Sequence, residues 1–411
     1  MKFVGIALAA LFAAVSAASA APGSLELLRP ADVDSSAPAL AVLKQAMAAK
    51  GFTLRDSAIS GGENALATAI SGDKAQPAAA LLNGYEVRAL ADQRKLNDIT
   101  AAAQAGHWPG LVLLPAQPFL VFRDRWVAVA LDLTPQNGLW INASLMNKIG
   151  GAAPETIDGL FALLDRARQA GVPPLALSTA PRDLALLFEQ TLISVGGPEV
   201  YKHVFFDLNE MAIRSDDVTR AFETLAHLKS YVAAGDASPD EKAAAEKVVK
   251  GEALAVAGPG SARLLFAAAG KTPDKDYRCQ RFPGSAGVVL FDMDIFAMLK
   301  AGPDAWPGQN ALAETVMDPQ VQLAASQAAG GVPVRAGVDT SKFDACAAAD
   351  VADVQQAGAT SALLGSTALG YTQRASITTA YVDVIAKFYS GEIKSAEAAT
   401  EALAAALTAS R

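Results

Sequence analysis

The segment 126–142, WVAVALDLTPQNGLWIN, constrains the fold of this chain more than any other stretch. Residues 127–133 form a mostly apolar run of strand length, Pro135 ends the run, and Asn137-Gly138 is a turn signal before further apolar residues. This pattern predicts that a strand leaves one sheet here and that a new element begins in another sheet. The alternative interpretation is that these residues form a strand, a loop and the start of a helix inside one domain.

Residues 1–20 have the pattern of a cleaved secretory signal. Met1-Lys2 is a short basic start, residues 4–15 are an apolar core, and Ala18-Ser19-Ala20 is a small-residue cleavage site. The apolar core is shorter than the ~20 residues of a membrane span, and no cysteine follows it as a lipoprotein anchor would require. We therefore expect a mature chain from Ala21 that lies in the periplasm and is not embedded in a membrane.

Charge, length and cysteine content narrow the class of protein. The chain has 411 residues and a net charge of −8 without a basic cluster, which argues against a nucleic-acid partner. Its length predicts two domains rather than one core. In an oxidising compartment, the two cysteines, Cys279 and Cys346, predict one disulfide, and two separate buried thiols are the alternative.

Strands and helices alternate along the chain and predict an α/β fold. Near the start, a helix opened by Pro38 separates the predicted strands 25–28 and 52–59, and a second helix is expected from Gly61-Gly62. The other predicted strands are 78–82, 172–177, 254–257 and 287–291, and the other predicted helices are 157–170, 183–195, 216–233, 239–250, 294–299 and most of the last 50 residues. Two blocks of this kind predict two lobes joined by several crossings, with a ligand in the cleft between them.

No catalytic constellation is visible. The three histidines, His107, His203 and His227, lack metal-ligand spacing, and there is no nucleophile elbow or phosphate-binding glycine motif. Asp292 and Asp294, two residues apart, could act as an acid/base pair, although solvated loop acids are the more common case. We expect a protein that is not an enzyme and that needs no cofactor or metal.

Several short motifs occur in an order that is typical of a known family. They include residues 137–142 (NGLWIN), 194–197 (SVGG), 330–335 (GGVPVR) and 343–346 (FDAC), which are short but together specific through their order and spacing. With them the chain resembles the glucose/mannose type of carbohydrate-binding protein, in extracellular solute-binding family 1, that serves ABC transporters. The resemblance implies a type II periplasmic binding protein fold, a Cys279–Cys346 disulfide, a small-molecule ligand and an inner-membrane ABC permease as partner. We expect a monomer with one lobe of residues 21–132 plus 292–336 and another of 133–291 plus 337–411.

The sugar-contact positions differ from those of the family that the chain resembles. Where similar proteins carry His-Trp-Trp-Thr-Ser-Gly-Gly-Glu, residues 29–36 read RPADVDSS. The other replaced positions are Thr134-Pro135 for His-Arg, Pro181-Arg182 for Trp-Gln, Gly258-Pro259-Gly260 for Gly-Asp-Trp and Ala329 for Lys. Aromatic rings bury the apolar side of a pyranose, so their loss predicts weak hexose binding. The replacements predict a sugar-related ligand, or one that is larger, more acidic or less hydroxylated than a hexose.

The candidate ligand contacts follow from the same positions. Arg29 and Arg182 could bind a carboxylate or phosphate, while aspartates could accept from hydroxyl or ammonium groups. The candidates are Arg29, Asp32, Asp34, Ser36, Asn83, Gln136, Asn137, Trp140, Arg182, Asp183 and Asp294. For Trp140 the alternative is plain core packing, and for the others it is a surface or hinge role.

These observations predict the periplasmic solute-binding subunit of an ABC importer, which closes around its ligand by a hinge motion. The alternative is a periplasmic interaction or lipid-handling protein that uses the same scaffold and no longer serves sugar import.

Overall fold

The computed structural model describes residues 23–30, 37–59, 68–70, 77–233 and 235–408. The predicted signal segment 1–20, the start of the helix expected from Gly61-Gly62, and the candidates Asp32, Asp34 and Ser36 lie outside the described residues. No helix in the described ranges combines the length and the apolar character that crossing a membrane requires.

The strands of the described residues are short or medium in length. They are β1 (Gly23–Pro30), β2 (Phe52–Ile59), β3 (Ala79–Leu82), β4 (Val121–Phe122), β5 (Arg125–Trp126), β6 (Ala128–Pro135), β7 (Gly138–Asn142), β8 (Leu175–Ala176), β9 (Ala255–Gly258), β10 (Tyr277–Arg281), β11 (Val289–Met298) and β12 (Leu363–Gly365).

The helices of the described residues include those predicted from Pro38 and at 157–170, 183–195, 216–233 and 239–250. They are α1 (Ala37–Ala49), α2 (Gly84–Asp92), α3 (Thr100–Ala105), α4 (Ala143–Lys148), α5 (Ile157–Gln169), α6 (Pro181–Phe205), α7 (Glu210–Ile213), α8 (Asp216–Lys229), α9 (Glu241–Lys250), α10 (Arg263–Ala268), α11 (Trp306–Val316), α12 (Pro319–Ala329), α13 (Ala345–Ala359), α14 (Ala375–Ser390) and α15 (Ala396–Thr408).

The larger sheet has six strands. Its order is β12-β11-β3-β1-β2, and β6 pairs with β11 off this path. Strands β1, β2 and β3 are parallel, and α1 connects β1 to β2 as the sequence predicts for a strand–helix–strand unit. The parallel strands therefore end together at one edge, where ligands of open α/β sheets usually bind.

The sequence-based prediction of a helix at 294–299 is wrong, because these residues continue strand β11 as far as Met298. Residues 295–297 of the strand pair with β3 on one side and with β6 on the other. Ile295, Phe296 and Ala297 are all buried, because a central strand that is covered on both faces shows no alternation of apolar and polar residues. The pairing with β6 shifts between Met293 and Ile295, which places Asp294 at a bulge.

The smaller sheet has four strands in the order β10-β7-β9-β8. Trp140 on β7 is 3% exposed and packs beside Phe266 and Tyr277, with ring centroids 5.8 and 5.9 Å from its own. The structure thus places Trp140 in the core of this sheet, which is the alternative weighed for it above.

The segment 126–142 passes between the two sheets, as predicted. Strand β6 belongs to the larger sheet and β7 to the smaller one, and the chain returns between β10 and β11. A disulfide joins Cys279 on β10 to Cys346 at the start of α13, with Cα atoms 5.9 Å apart, and confirms the predicted pairing. Strand β12 pairs with β11 in the larger sheet, although the expected boundaries assign residues 337–411 to the second lobe.

Candidate ligand-binding site

A cavity of about 450 Å³ opens at the carboxyl edge of β1, β2 and β3. This volume lies in the range of about 300–1,000 Å³ that is typical of small-molecule pockets. From the side of the larger sheet, the lining includes Pro30, Ile59, Leu82, Asn83, Asp132, Thr134, Asp292 and Asp294. Facing them are Arg182, Asp183, Glu241, Pro259, Ser261, Thr379 and the loop 368–370.

Asn83 fixes one wall of the cavity by capping helix α2. Its Oδ1 accepts from the backbone N–H of Glu86 at 2.9 Å, and Glu86 Oε2 accepts from the Asn83 N–H at 2.9 Å. This reciprocal capping box satisfies backbone donors that would otherwise be unpaired at the helix start. Gly370, with φ of +80°, approaches the Asn83 amide so closely that a Cβ there would lie 2.4 Å from Nδ2. Glycine is required at this point of the wall.

Three aspartates lie together on the neighbouring strands β6 and β11. Asp292 is paired in register with Thr134, and Asp294 occupies the bulge two residues later. The Tyr371 hydroxyl lies 2.9 Å from Asp292 Oδ1, whereas Asp132 Oδ2 is buried and has no hydrogen-bond partner among the described residues. The cavity therefore contains a concentrated group of acids that is only partly neutralised by protein donors.

Burial controls the protonation of these acids. It raises the pKa of Asp132 and Asp294, and the repulsion between neighbouring carboxylates raises both further. The pKa of Asp292 is also raised by burial, against the hydrogen bond from Tyr371 and the positive charge of Arg182. Burial and then the charge of Asp183 raise the pKa of Glu241 to about 7.

The first turns of α6 and α9 form the opposite wall. Asp183 Oδ2 accepts from Ser178 Oγ at 2.7 Å and from the backbone N–H of Glu241 at 2.9 Å. Asp183 therefore ties these two helix starts together, which holds Arg182 and Glu241 at the cavity.

Related proteins identify the scaffold. The model of the bacterial extracellular solute-binding protein family matches residues 41–355. A protein of Mesorhizobium japonicum, "Probable sugar-binding periplasmic protein", is 37% identical over 408 residues, which cover 98% of each chain. The chain belongs to the bacterial extracellular solute-binding proteins.

Other relatives of this solute-binding protein agree with the assignment. A "Probable sugar-binding periplasmic protein" of Rhizobium meliloti is 32% identical over 403 residues, 97% of each chain. Among solved structures, the solute receptor AcbH has a TM-score of 0.75 at 17% identity and covers 93% of this chain and 97% of its own. Maltose-bound T. maritima MalE3 has a TM-score of 0.73 at 17% identity, covering 94% of this chain and 99% of its own. These neighbours confirm the two-lobed α/β fold, and membership of a receptor family confirms that the protein is not an enzyme.

In this solute-binding protein, five of the candidate ligand contacts line the cavity, namely Asn83, Gln136, Arg182, Asp183 and Asp294. Gln136 is 6% exposed, and its Nε2 donates to the carbonyl oxygen of Thr134 at 3.1 Å. Sequence reasoning missed Asp132 and Glu241 and treated Asp292 only as an acid/base candidate. For Asp132 and Asp292, the available signal was a charged residue inside an otherwise apolar strand, as in 128–135 and 289–298.

Arg29 and Asn137 have other surroundings. The guanidinium of Arg29 binds Asp56, with Nε 2.7 Å from Oδ2, and hydrogen bonds from Lys44 and Arg29 lower the pKa of Asp56 despite its partial burial. Asn137 is fully buried between the two chain crossings. Neither residue belongs to the described lining of the cavity, so their predicted contact with a ligand stays a prediction.

Glu189 supports the cavity loop from behind. Its carboxyl group accepts from Ser366 Oγ at 2.8 Å and from the Ala368 N–H at 2.7 Å, and the Tyr201 hydroxyl lies 3.3 Å away. Burial raises the pKa of Glu189 to about 8, against these hydrogen bonds. The Glu189 carboxyl group fixes the loop whose residues 368–370 line the cavity.

The raised pKa values predict how the stability of the unliganded protein depends on pH. An aspartate with a raised folded pKa binds more protons in the folded state than in the unfolded state, where its pKa is about 3.9. The free energy of unfolding should therefore fall between about pH 5 and pH 8, by about 1.4 kcal/mol for each unit of raised pKa in that window. Thermal melting across this range measures the fall.

In the variant Asp132→Asn, the free energy of unfolding should fall less as the pH rises, because the asparagine side chain does not titrate. Asp304→Asn, a change at an exposed carboxylate away from the cavity, is the matched control and should melt with the unmodified pH profile. Equal slopes for all three proteins would contradict the assignment of the pH dependence to the cavity.

Proposed function

We propose that this protein is the periplasmic solute-binding subunit of an ABC importer and captures a sugar-related small molecule in the cavity at the edge of its larger sheet. Residues 1–20 would direct secretion, and the mature monomer would deliver its ligand to an inner-membrane permease. The observation that carries the proposal is the 450 Å³ cavity with a polar lining, in a chain whose relatives are named sugar-binding periplasmic proteins.

Ligand capture would proceed by closure of two lobes. We propose lobes of residues 21–132 plus 292–336 and of 133–291 plus 337–411, with the crossings near Asn137 and near Val288 as the hinge. Ligand contacts from both walls favour the closed form, because a ligand shifts a conformational equilibrium only by its difference in affinity for the two states.

A lipid-handling role has less support. Buried carboxyl groups on two walls make the cavity unsuitable for an acyl chain, since burying ionisable groups against an apolar ligand leaves them without partners. The alternative of an interaction protein on this scaffold has no specific observation in its favour.

A thermal-shift screen of the chain from residue 21 tests the proposal. Neutral sugars, amino sugars, acidic sugars, polyols and amphipathic lipids would be the panel. A ligand present at 100 times its Kd stabilises by about 2.7 kcal/mol, which raises the melting temperature measurably. A shift with any sugar class supports the proposal, and a shift with lipids alone contradicts it.

The substitution Thr379→Trp should abolish the shift given by the best ligand. Thr379 lies on the exposed side of α14 at the cavity mouth, so an indole there fills the cavity without disturbing the core. Ser376→Trp, three residues earlier on the same helix and outside the described lining, is the control and should bind normally. Normal binding by Thr379→Trp would place the ligand elsewhere.

A further inference from the structure

The charge of the cavity is strongly asymmetric. Among its described lining residues, Arg182 is the single Lys or Arg, against six acids: Glu86, Asp132, Asp183, Glu241, Asp292 and Asp294. Glu86 is engaged in the capping box with Asn83, and Asp183 in the link between α6 and α9. Of the other four acids, Asp132, Asp292 and Asp294 lie on β6 and β11, and Glu241 begins α9.

Asp132 is the strongest indication of a missing partner. Its side chain lines the cavity, the residue is 2% exposed, and Oδ2 has no hydrogen-bond donor within the part of the chain that the structure describes. Leaving a buried acceptor unpaired costs about 1–3 kcal/mol, and more when the group is charged. A ligand in the cavity that donates to the Asp132 carboxyl group would remove this cost.

A hydroxyl group and an ammonium group could both donate to Asp132. They differ in their effect on the neighbouring acids, because only a positive charge offsets the repulsion between Asp132, Asp292 and Asp294. An ammonium group carries three donors and no acceptor, which suits several acceptor-only carboxylates. Charge-assisted hydrogen bonds of this kind are about twice as strong as neutral ones. Burial and repulsion between carboxylates raise the pKa values of Asp132 and Asp294, and burial raises that of Asp292.

The remainder of the lining indicates what the amine is attached to. Thr134, Gln136 and Ser261 offer hydroxyl and amide groups to a hydroxylated body, whereas none of the described lining residues is aromatic. Without a stacking ring, affinity for a neutral pyranose loses its usual apolar contribution. Charge-assisted contacts can replace it.

We infer that the ligand is a hydroxylated amine of the amino-sugar class, and that Asp132, Asp292 and Asp294 bind its ammonium group. This inference rests on the proposed function and specifies the substrate class of the same cavity. It also disfavours the acidic ligand expected from Arg29 and Arg182, since Arg29 is paired with Asp56 and Arg182 faces an excess of carboxyl groups.

Matched sets of sugars test the inference at neutral pH. Each set contains a hexosamine, its N-acetyl derivative, the parent hexose and the corresponding uronate, in the gluco, galacto and manno configurations. We expect at least one hexosamine to raise the melting temperature. Calorimetry should then show the N-acetyl derivative and the parent hexose of that set binding at least tenfold more weakly, because acetylation removes the charge and keeps the ring.

Variants locate the ammonium group. Asp132→Asn and Asp294→Asn keep the side-chain shape and remove the charge, so each should weaken hexosamine binding at least tenfold. Asp304→Asn is exposed outside the cavity and should leave it unchanged. Should either cavity variant fail to fold, the ranking of the four sugar forms on the unmodified protein decides alone.

The outcomes separate this inference from the proposed function. Equal or tighter binding of a neutral hexose, an N-acetyl sugar or a uronate overturns the inference and leaves sugar capture in place. Hexosamine binding that survives both aspartate substitutions also overturns it. If no sugar of any form shifts the melting temperature, the inference and the proposed function are both rejected.

Discussion

The double substitution Cys279→Ala with Cys346→Ala should lower the free energy of unfolding by about 4 kcal/mol. The disulfide joins residues separated by 67 positions, and closing a loop of that length restricts the unfolded chain by this amount on the chain-entropy model. It also fastens α13, at the rim of the smaller sheet, to β10. Urea denaturation of the oxidised protein and of the double variant measures the difference.

The unmodified protein in a thiol reductant is the matched control for the disulfide. Once the bond is reduced, its urea denaturation midpoint should approach that of the double variant, since both proteins lose the same constraint. Arg281 forms a parallel connection from β10 to α13 through ion pairs with Asp350 and Asp353. A loss below about 1 kcal/mol would show that these buried ion pairs hold α13 without the disulfide, contrary to the loop-closure estimate.

The second large effect is expected for Asn137→Ala, at about 3 kcal/mol or more of lost stability. The Asn137 Nδ2 donates to the Val288 carbonyl at 2.9 Å and to Ser285 Oγ at 3.1 Å, and its Oδ1 accepts from the Leu290 N–H at 2.9 Å. Alanine leaves the Leu290 N–H and the Val288 carbonyl buried without these partners, and each unpaired group costs about 1–3 kcal/mol.

Gln136→Ala is the control for Asn137→Ala, because within the described residues the neighbouring amide makes one side-chain hydrogen bond, to the Thr134 carbonyl. We expect it to cost less than about 1 kcal/mol of stability and to weaken ligand binding, since Gln136 lines the cavity. Chemical denaturation and calorimetry on both variants check the contrast. Equal destabilisation by the two substitutions would mean that Asn137 does not join the crossings.

Much of the fold follows from local sequence patterns. Strand β2 begins after Gly51 and ends at Ile59 as predicted, since a glycine turn and apolar residues are local signals. The helix wrongly predicted at 294–299 shows the limit of such reasoning. Whether this apolar segment becomes a strand depends on β3 and β6, which lie more than a hundred residues earlier.

The site was harder to predict from sequence, because its contacts also depend on residues that are distant along the chain. Arg182 could be placed near the cleft because the resemblance aligned it with a contact position of the family. Asn137 belongs to the family motif 137–142, but its hydrogen-bond partners come from residues 285–290, which sequence reasoning did not place beside it. Asp132 is an acid on β6, and its neighbours on β11 come from a distant part of the chain, so its unpaired oxygen becomes visible only in three dimensions.

Strand β11 carries Asp292 at the cavity and, two residues earlier, Leu290 in hydrogen bond with Asn137. One strand therefore connects the cavity with the proposed hinge. For protein engineering this arrangement favours an optical biosensor. An environment-sensitive dye on exposed Ala336, outside the described lining of the cavity, would then report ligand capture through the proposed closure rather than through contact with the ligand.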